Sequence, residues 1–386
     1  MGSAEPSGLL SGVKVVDLTH ALAGPMCTYQ LHVQGAEVIK VEPPERGDDF
    51  RARPYGRFSC INGGKRSVTL NLKSPESREV LDRLLAGADV VVENFRPGVA
   101  QEFGLDWEAL HAKYPGLIYC SISGFGQEGP MRDFPAIEWS AQAVSGMAHS
   151  YLEQNDDAMD LGVGMLDPCT GFLAASSIIA ALYRRTQTGE GSRIDVAMID
   201  TAFMLGSNGI AATLLGGPTG LGRRPTMARY RTREGRIFIA SLHPKWFAKL
   251  CDLIGAAELP EDPRFATPEA RAQAGEALVA ALEEKLMART ALEWEAILVA
   301  NGIPAGAVRS FREMAESDHA QQRGMTLEFD APEGRITAVG AAFRLSDTPT
   351  GVRGPTPDLG AHTDEVLADL GYDAEAIQAM RSGGTI

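Results

Sequence analysis

Hydrophobic and polar positions in the first half of the chain switch between a strand-like and a helix-like period. Residues 13–19, VKVVDLT, form a short β-branched run that predicts a buried strand. The TYQLHVQGA stretch predicts a helix ending near Gly35, and EVIKVE at 37–42 predicts the next strand. Residues 74–86, SPESREVLDRLLA, place Ser before Pro, acids in the first turn and apolar residues at helical spacing, so they predict a helix. ADVVVENF at 88–95 and LIYCSISGF at 117–125 predict further strands. Strands alternating with helices imply parallel βαβ units under helical cover. Ligands of such sheets sit beyond the carboxyl ends of the strands, here near Thr19, Glu42, Phe95 and Gly124.

The pattern then changes. Residues 206–229 are rich in Gly and Pro and read as a linker or flexible loop. YRTREGRIFIASL predicts a hairpin around Glu234–Gly235, and PKWFAKLCDLIG, EALVAALEEKLMAR and ALEWEAILVANG predict helices. Strand-like runs return beyond about residue 325 (MTLEFD, RITAVGAAFRL), and HTDEVLADLG predicts a final helix. That return suggests that the carboxyl-terminal part rejoins the first domain. No fixed-period repeat is apparent.

The segment GVGMLDPCTGFLAASSIIAALYRR, 162–185, carries one carboxylate, Asp167, at the start of a long apolar helix. Asp is a favoured N-cap and Pro168 suits the first helical position, while 172–182 reads as a helix buried on most sides. The positive end of the helix dipole favours the ionised carboxylate. Two roles stay open for Asp167, a structural cap and a nucleophile.

Composition narrows the field. The chain has 386 residues, a net charge of −14 and a pI near 5.0, which argues against a general binder of nucleic acids or anionic membranes. No run approaches the roughly 18–20 apolar residues that span a bilayer, and MGSAEPSGLLSG is not a secretory signal. Five scattered cysteines form no CxxC pair, so neither a metal site nor a disulfide framework is indicated, and a reducing, cytoplasmic location is expected.

The words DLTHALAGPMCT, GAEVIKVEPP, NGGKRSVTLNLKSPE, VVENFRPGV, GFGQEGP, TGEGSRIDVAMIDTA, NGIPAGAV and LGAHTDEVLADLGY occur in one order. In that order the chain resembles the class III CoA-transferases of the CaiB/BaiF type. The resemblance implies an α/β fold: a large Rossmann-like domain with a parallel sheet from residues 1–205 and 330–386, a linker at 206–229 and a smaller α+β domain at 230–329. It also implies an interlocked, ring-like homodimer. No permanently bound cofactor is implied; a coenzyme A thioester and a carboxylic acid are the substrates.

In the transferases an Asp followed four residues later by Gly is the nucleophile, and the matching pair is Asp167 and Gly171. The resemblance therefore implies acyl transfer through a mixed anhydride and an aspartyl-CoA thioester. His20, Ala21 and Leu22 match a loop lining the CoA pocket. Leu70, Lys73 and Asn94 match adenosine- and phosphate-neighbouring positions, and Arg96 an arginine that approaches the phosphates in some members. A hydrogen-bonded loop histidine is the alternative for His20, and solvated surface charge for Lys73 and Arg96. Glu138 either positions the acyl group or caps a helix.

Several positions depart from relatives. Formyl-CoA transferases carry Gln where Leu22 stands, Arg where Pro43 stands, Tyr where Glu138 stands, and four successive glycines where 215–222 reads LGGPTGLG. The α-methylacyl-CoA racemases of the same superfamily need a proton-transferring His where this chain has Ile137. A racemase, and a CoA-ester-binding protein without catalysis, are the rival readings to a transferase.

Overall fold

The computed structural model describes residues 8–54, 56–152, 163–217, 225–241, 243–332, 334–348 and 350–386. The amino-terminal stretch read as no signal therefore lies largely outside the described residues, as does most of the 215–222 segment. The described chain forms two compact units. One comprises the chain up to His149, the stretch ending at Ser207 and the return from Ala320 to Ile386; the other is mainly Asn208–His319.

The first unit is built on six parallel strands: β1 Lys14–Asp17, β2 Glu37–Glu42, β3 Arg66–Thr69, β4 Val90–Glu93, β5 Ile118–Ser123 and β6 Ser192–Ala197. Their order, β3-β2-β1-β4-β5-β6, is that of dinucleotide-binding sheets, with the topological switch between β1 and β4. Four of these strands match the predicted ones; β3 and β6 are additions. The reason is burial. β4 and β5 are buried throughout, whereas edge strand β6, SRIDVA, alternates half-buried and exposed residues.

Alternation on the central strands divides the core. Val15, Val90 and Val92 face one cluster with Cys27, Leu31 and Ile178, while Val16 and Val91 face another with Val80, Leu84 and Leu367. Helix α1, Ala23–His32, and a long helix, Leu166–Thr188, cover the first face; α2, Ser77–Ala86, and the carboxyl-terminal helix Thr363–Asp369 cover the second.

The return of the chain to this unit takes a different form from further sheet strands. Thr326–Ala331 and Gly334–Val339 pair only with each other, as an antiparallel hairpin. They are tied down by the Tyr29 hydroxyl, which donates to the Val339 carbonyl at 2.7 Å, and the following loop by Gly351 N–H to Val33 O at 2.9 Å. A last helix, Ala374–Ser382, capped by Asp373, follows the predicted one.

The 166–188 helix overturns one expectation. It has 23 residues and is long and apolar enough to cross a membrane by length and composition. Its Leu166, Gly171, Ala174, Ala175, Ile178 and Leu182 are buried within the unit while Phe172 and Tyr183 are exposed, so it packs through one face and is not buried on most sides as the sequence suggests.

In the second unit, Met227–Arg231 and Arg236–Ala240 form the predicted hairpin, Arg231 opposite Arg236, and Ala305–Ala307 adds a third strand. Helices Pro244–Ile254, Gly275–Leu286 and Ala291–Ala300 pack Phe247, Leu282 and Trp294 around Tyr230 and Ile237. Residues 207–214, read as part of a linker, form the helix Ser207–Leu214; its Ala-, Ile- and Leu-containing sequence sustains a helix despite the flanking glycines.

Gly171 sets the distance between α1 and the 166–188 helix. A Cβ there would lie 2.6 Å from the Ala23 carbonyl oxygen, 2.8 Å from Met26 Cβ and 3.0 Å from Cys27 N. Backbone on both sides leaves nothing flexible to move. Gly171→Ala is therefore expected to destabilise the protein by about 1–3 kcal/mol, overriding the better helix propensity of alanine. Urea unfolding checks this; a variant as stable as the parent would contradict the packing argument.

Candidate active site

The carboxyl ends of β1 to β4 surround a cavity of about 610 Å³. Thr19 and His20 come from the loop after β1, residues 42–49 from the loop after β2, Leu70–Lys73 from that after β3, and Phe95 from that after β4. Three of the four strand ends singled out in the sequence thus meet at one cavity. The loop after β3 is pinned from below: Asn71 N–H donates to the Thr385 carbonyl at 2.8 Å, and Gly384 joins the wall.

A buried polar layer underlies this cavity. Asp17 accepts from Thr19 N–H, from the Thr19 and Thr28 hydroxyls and from Lys65, whose ammonium lies 3.1 Å away with both side chains fully buried. Burial pushes the Asp17 carboxyl upward, but Lys65, Lys40 and the hydroxyls outweigh it and hold the group far below the usual range. Lys65 is pushed down to about 8 by burial, against the pull of Asp17. Pairing with further hydrogen bonds is what makes such burial tolerable.

Asp167 stands on the long helix that packs against α1 at Gly171. The structure corrects its capping role: the N-cap is Met165, and Asp167 lies in the first helical turn with Pro168 after it. The cap is supplied by Glu138, at the start of helix Glu138–Val144. Its Oε1 accepts from Met165 N–H at 2.9 Å and Leu166 N–H at 2.8 Å, and its Oε2 from Asp167 N–H at 2.7 Å. Gln142, one turn on, donates to Oε1 at 2.6 Å and holds the carboxylate in place. The free amides of the helix are thereby satisfied from another element, and the Asp167 carboxylate is released from capping.

Its charge state follows. Burial, then the neighbouring Glu138 charge, raises the Asp167 carboxyl from 3.8 to about 6. The dipole of the helix, expected to favour ionisation, faces the Glu138 carboxylate instead.

The remaining candidate residues separate by position. His20, Leu70 and Lys73 line the cavity. Desolvation, partly offset by Asp48, lowers the His20 pKa, so this imidazole is neutral at pH 7. Ala21, Leu22, Asn94 and Arg96 are not among the lining residues; Leu22 packs with the Tyr29, Val33 and Ile61 cluster, and Arg96 is exposed. Asn94 clasps the β1 loop across the switch point, its Oδ1 accepting from His20 N–H at 2.9 Å and its Nδ2 donating to His20 O at 2.8 Å. Sequence reasoning missed Asn71, Phe103 and Asp48. The acidic stretch GDD at 47–49, just beyond a strand end, was the available signal for the last.

Neither Asp167 nor Glu138 is among the residues that line the cavity. The model of CoA-transferase family III matches residues 10–363. The chain belongs to CoA-transferase family III. A succinate–glutarate CoA-transferase of Agrobacterium fabrum is 36% identical over 94% of this chain and 95% of its own length. A formyl-CoA:oxalate CoA-transferase of Rhodopseudomonas palustris is 35% identical, covering 97% of each chain. Among solved structures, a CaiB/BaiF family protein from Brucella suis is similar with a TM-score of 0.86 at 34% identity, over 95% of this chain and all of that one.

The raised Asp167 pKa makes a stability prediction for this family III member. Because the folded value exceeds the unfolded one, the folded state binds the proton more tightly, and stability falls as pH rises from about 4 through 6. Two units correspond to roughly 3 kcal/mol at most. Asp167→Asn removes that loss, so the variant is expected to be about 1–3 kcal/mol more stable than the parent at pH 7. The gain should shrink towards pH 4 in urea titrations. A variant that is no more stable at pH 7 would show that ionised Asp167 is not strained by its surroundings.

Proposed function

We propose that this protein is a CaiB/BaiF-type enzyme that moves coenzyme A from an acyl-CoA donor to a carboxylic acid, with Asp167 as nucleophile. The observation that carries the reading is the cap: Glu138 takes up the helix amides, leaving a half-buried carboxylate with no capping duty at the position matching the transferase nucleophile. A pKa near 6 keeps that carboxylate mostly ionised at pH 7 while making it more basic, hence more nucleophilic, than an ordinary aspartate.

The steps balance without ATP. An Asp167 oxygen attacks the donor thioester carbonyl, the C–S bond breaks, and CoA leaves as thiolate from a mixed anhydride. The thiolate attacks the aspartyl carbonyl, releasing the donor acid and leaving aspartyl-CoA. The acceptor carboxylate attacks that thioester, forming a second anhydride and freeing the thiolate again. Attack of the thiolate on the acceptor acyl carbon yields the new acyl-CoA and regenerates Asp167. Both intermediates hydrolyse readily, so the site has to exclude water. The cavity at the ends of β1 to β4 is proposed to take the CoA moiety, with His20, Leu70 and Lys73 in its wall. The relatives' names make succinyl-CoA with glutarate the first combination to screen, because Leu22, Pro43 and Glu138 depart from the formyl-CoA transferases. Transfer would take place in the cytoplasm.

The decisive experiment uses acyl-CoA with hydroxylamine. The wild type should acquire a hydroxamate on Asp167 alone, and Asp167→Asn should lose transfer by several orders of magnitude while staying folded. Wild-type kcat/KM should fall with acid through a limb near pH 6, as Asp167 takes up its proton. Near-normal transfer by Asp167→Asn would sink the mechanism. Rapid deuterium exchange at the α-carbon of a 2-methylacyl-CoA without an acceptor would favour a racemase, for which Ile137 offers no proton.

The same reading makes the enzyme an interlocked homodimer. Threaded rings exchange subunits only through extensive unfolding. Native mass spectrometry of mixed tagged and untagged protein should therefore show almost no mixed dimers over hours. Monomers at micromolar concentration, or complete exchange within minutes, would contradict the interlocked form.

A further inference from the structure

Ala21 adopts φ +65°, the one non-glycine residue with positive φ among the described residues. An L-residue with a Cβ is strained there, and such a conformation persists only where the surroundings over-determine it. It occupies the elbow between β1 and α1, directly after pocket residues Thr19 and His20.

The polar groups around this elbow are held from below. Lys40 Nζ donates to the Thr19 carbonyl at 2.7 Å and sits 3.0 Å from Asp48 Oδ2, with both side chains essentially fully buried. Asp48 Oδ1 accepts from Ala21 N–H at 3.1 Å and from Phe50 N–H at 2.9 Å. Asp48 is itself fixed: its N–H donates to Glu42 Oε2 at 3.0 Å, and Glu42 is bound through both oxygens by Arg51 at 2.7 Å. From the opposite side Asn94 clasps His20 by both backbone groups.

We propose that the buried Lys40–Asp48 pair is a positioning device that holds Ala21 in its left-handed conformation and so sets the mouth of the pocket for a coenzyme A thioester. The inference rests on the assignment of this cavity to coenzyme A. The pair touches no reacting group and acts through the elbow. With the pair removed, the chain relaxes towards negative φ at Ala21, and the binding-competent elbow becomes a minor population. Apparent affinity for the ligand drops by that population. Glycine reaches positive φ without strain, so the clamp matters less when Ala21 is replaced by glycine.

The test is a mutant cycle read by calorimetric binding of coenzyme A. Lys40→Met with Asp48→Leu removes both buried charges together and leaves neither unpaired. This change is expected to raise the Kd for coenzyme A by about ten-fold with Ala21 present, and by less than about three-fold when Ala21→Gly is also present. A role confined to general stability would lower the folded fraction equally in both backgrounds and show no such rescue. Equal losses of affinity in the two backgrounds, or no loss in either, overturn the inference. Should Lys40→Met/Asp48→Leu fail to fold, the same cycle with Asn94→Ala, which releases the elbow from its other side, decides in the same way. A wild-type protein that binds no coenzyme A overturns the assignment of the cavity, and this inference with it; intact wild-type binding with unaffected variants overturns the inference alone.

Discussion

Two backbones meeting at Gly171 connect the parts of this molecule that matter chemically. The elbow after β1 feeds α1, and α1 lies against the Asp167-bearing helix so closely that no side-chain atom fits at residue 171. The helix that follows the β1 elbow and the Asp167-bearing helix are therefore members of one packed layer. Close-packed interiors transmit displacement without absorbing it. Asp167 and Gly171, four residues apart, lie about one turn apart on the same side of this helix.

Electrostatics follows from the same layout. A helix start offers unpaired amides, and the first acidic side chain nearby ordinarily satisfies them. Here Glu138 reaches in from another helix and takes three amides with two oxygens. That leaves Asp167 close to a like charge and short of water, both of which disfavour its ionised form. Strain of this kind lowers stability at neutral pH and raises the basicity of the carboxylate.

The sequence made part of this legible. β1, β2, β4 and β5 declare themselves through their short runs of Val and Ile, although each also carries buried polar residues. β3, RSVT, and β6, SRIDVA, are edge strands that mix polar with apolar residues and lack the Val and Ile runs of the central strands. The helix at 207–214 hid among glycines at 206, 209, 216 and 217, and the helix read over 172–182 extends further at both ends, over 166–188. For the site, the resemblance singles out Asp167, and Glu138 reads as a helix cap or an acyl-positioning residue with no sign of which helix it would cap. Glu138 and Asp167 are 29 residues apart, and nothing in a local pattern says that a carboxylate will cap a helix from that distance. Local reasoning assigned the cap to the nearest acid, a fair rule that tertiary structure overrode. Asn94 illustrates the same limit: a polar residue at a strand end reads as a ligand contact, yet both ends of its amide are spent on His20.

The buried charges beneath the cavity obey a similar logic. Asp17, Lys40, Asp48 and Lys65 lie within one acidic protein, but they are paired and they hydrogen-bond to backbone atoms of the loops that form the cavity wall. Apolar replacements of equal volume would pack as well and avoid the desolvation of four ions. What they would lack is direction. A Leu at 48 exerts no pull on the Ala21 N–H, and a Met at 40 none on the Thr19 carbonyl. Directed contacts are needed where the backbone departs from its preferred conformations, and Ala21 is such a place. The buried ions thus sit where the fold has to impose a shape that the local sequence does not favour, at the open end of the sheet where ligands of this architecture bind.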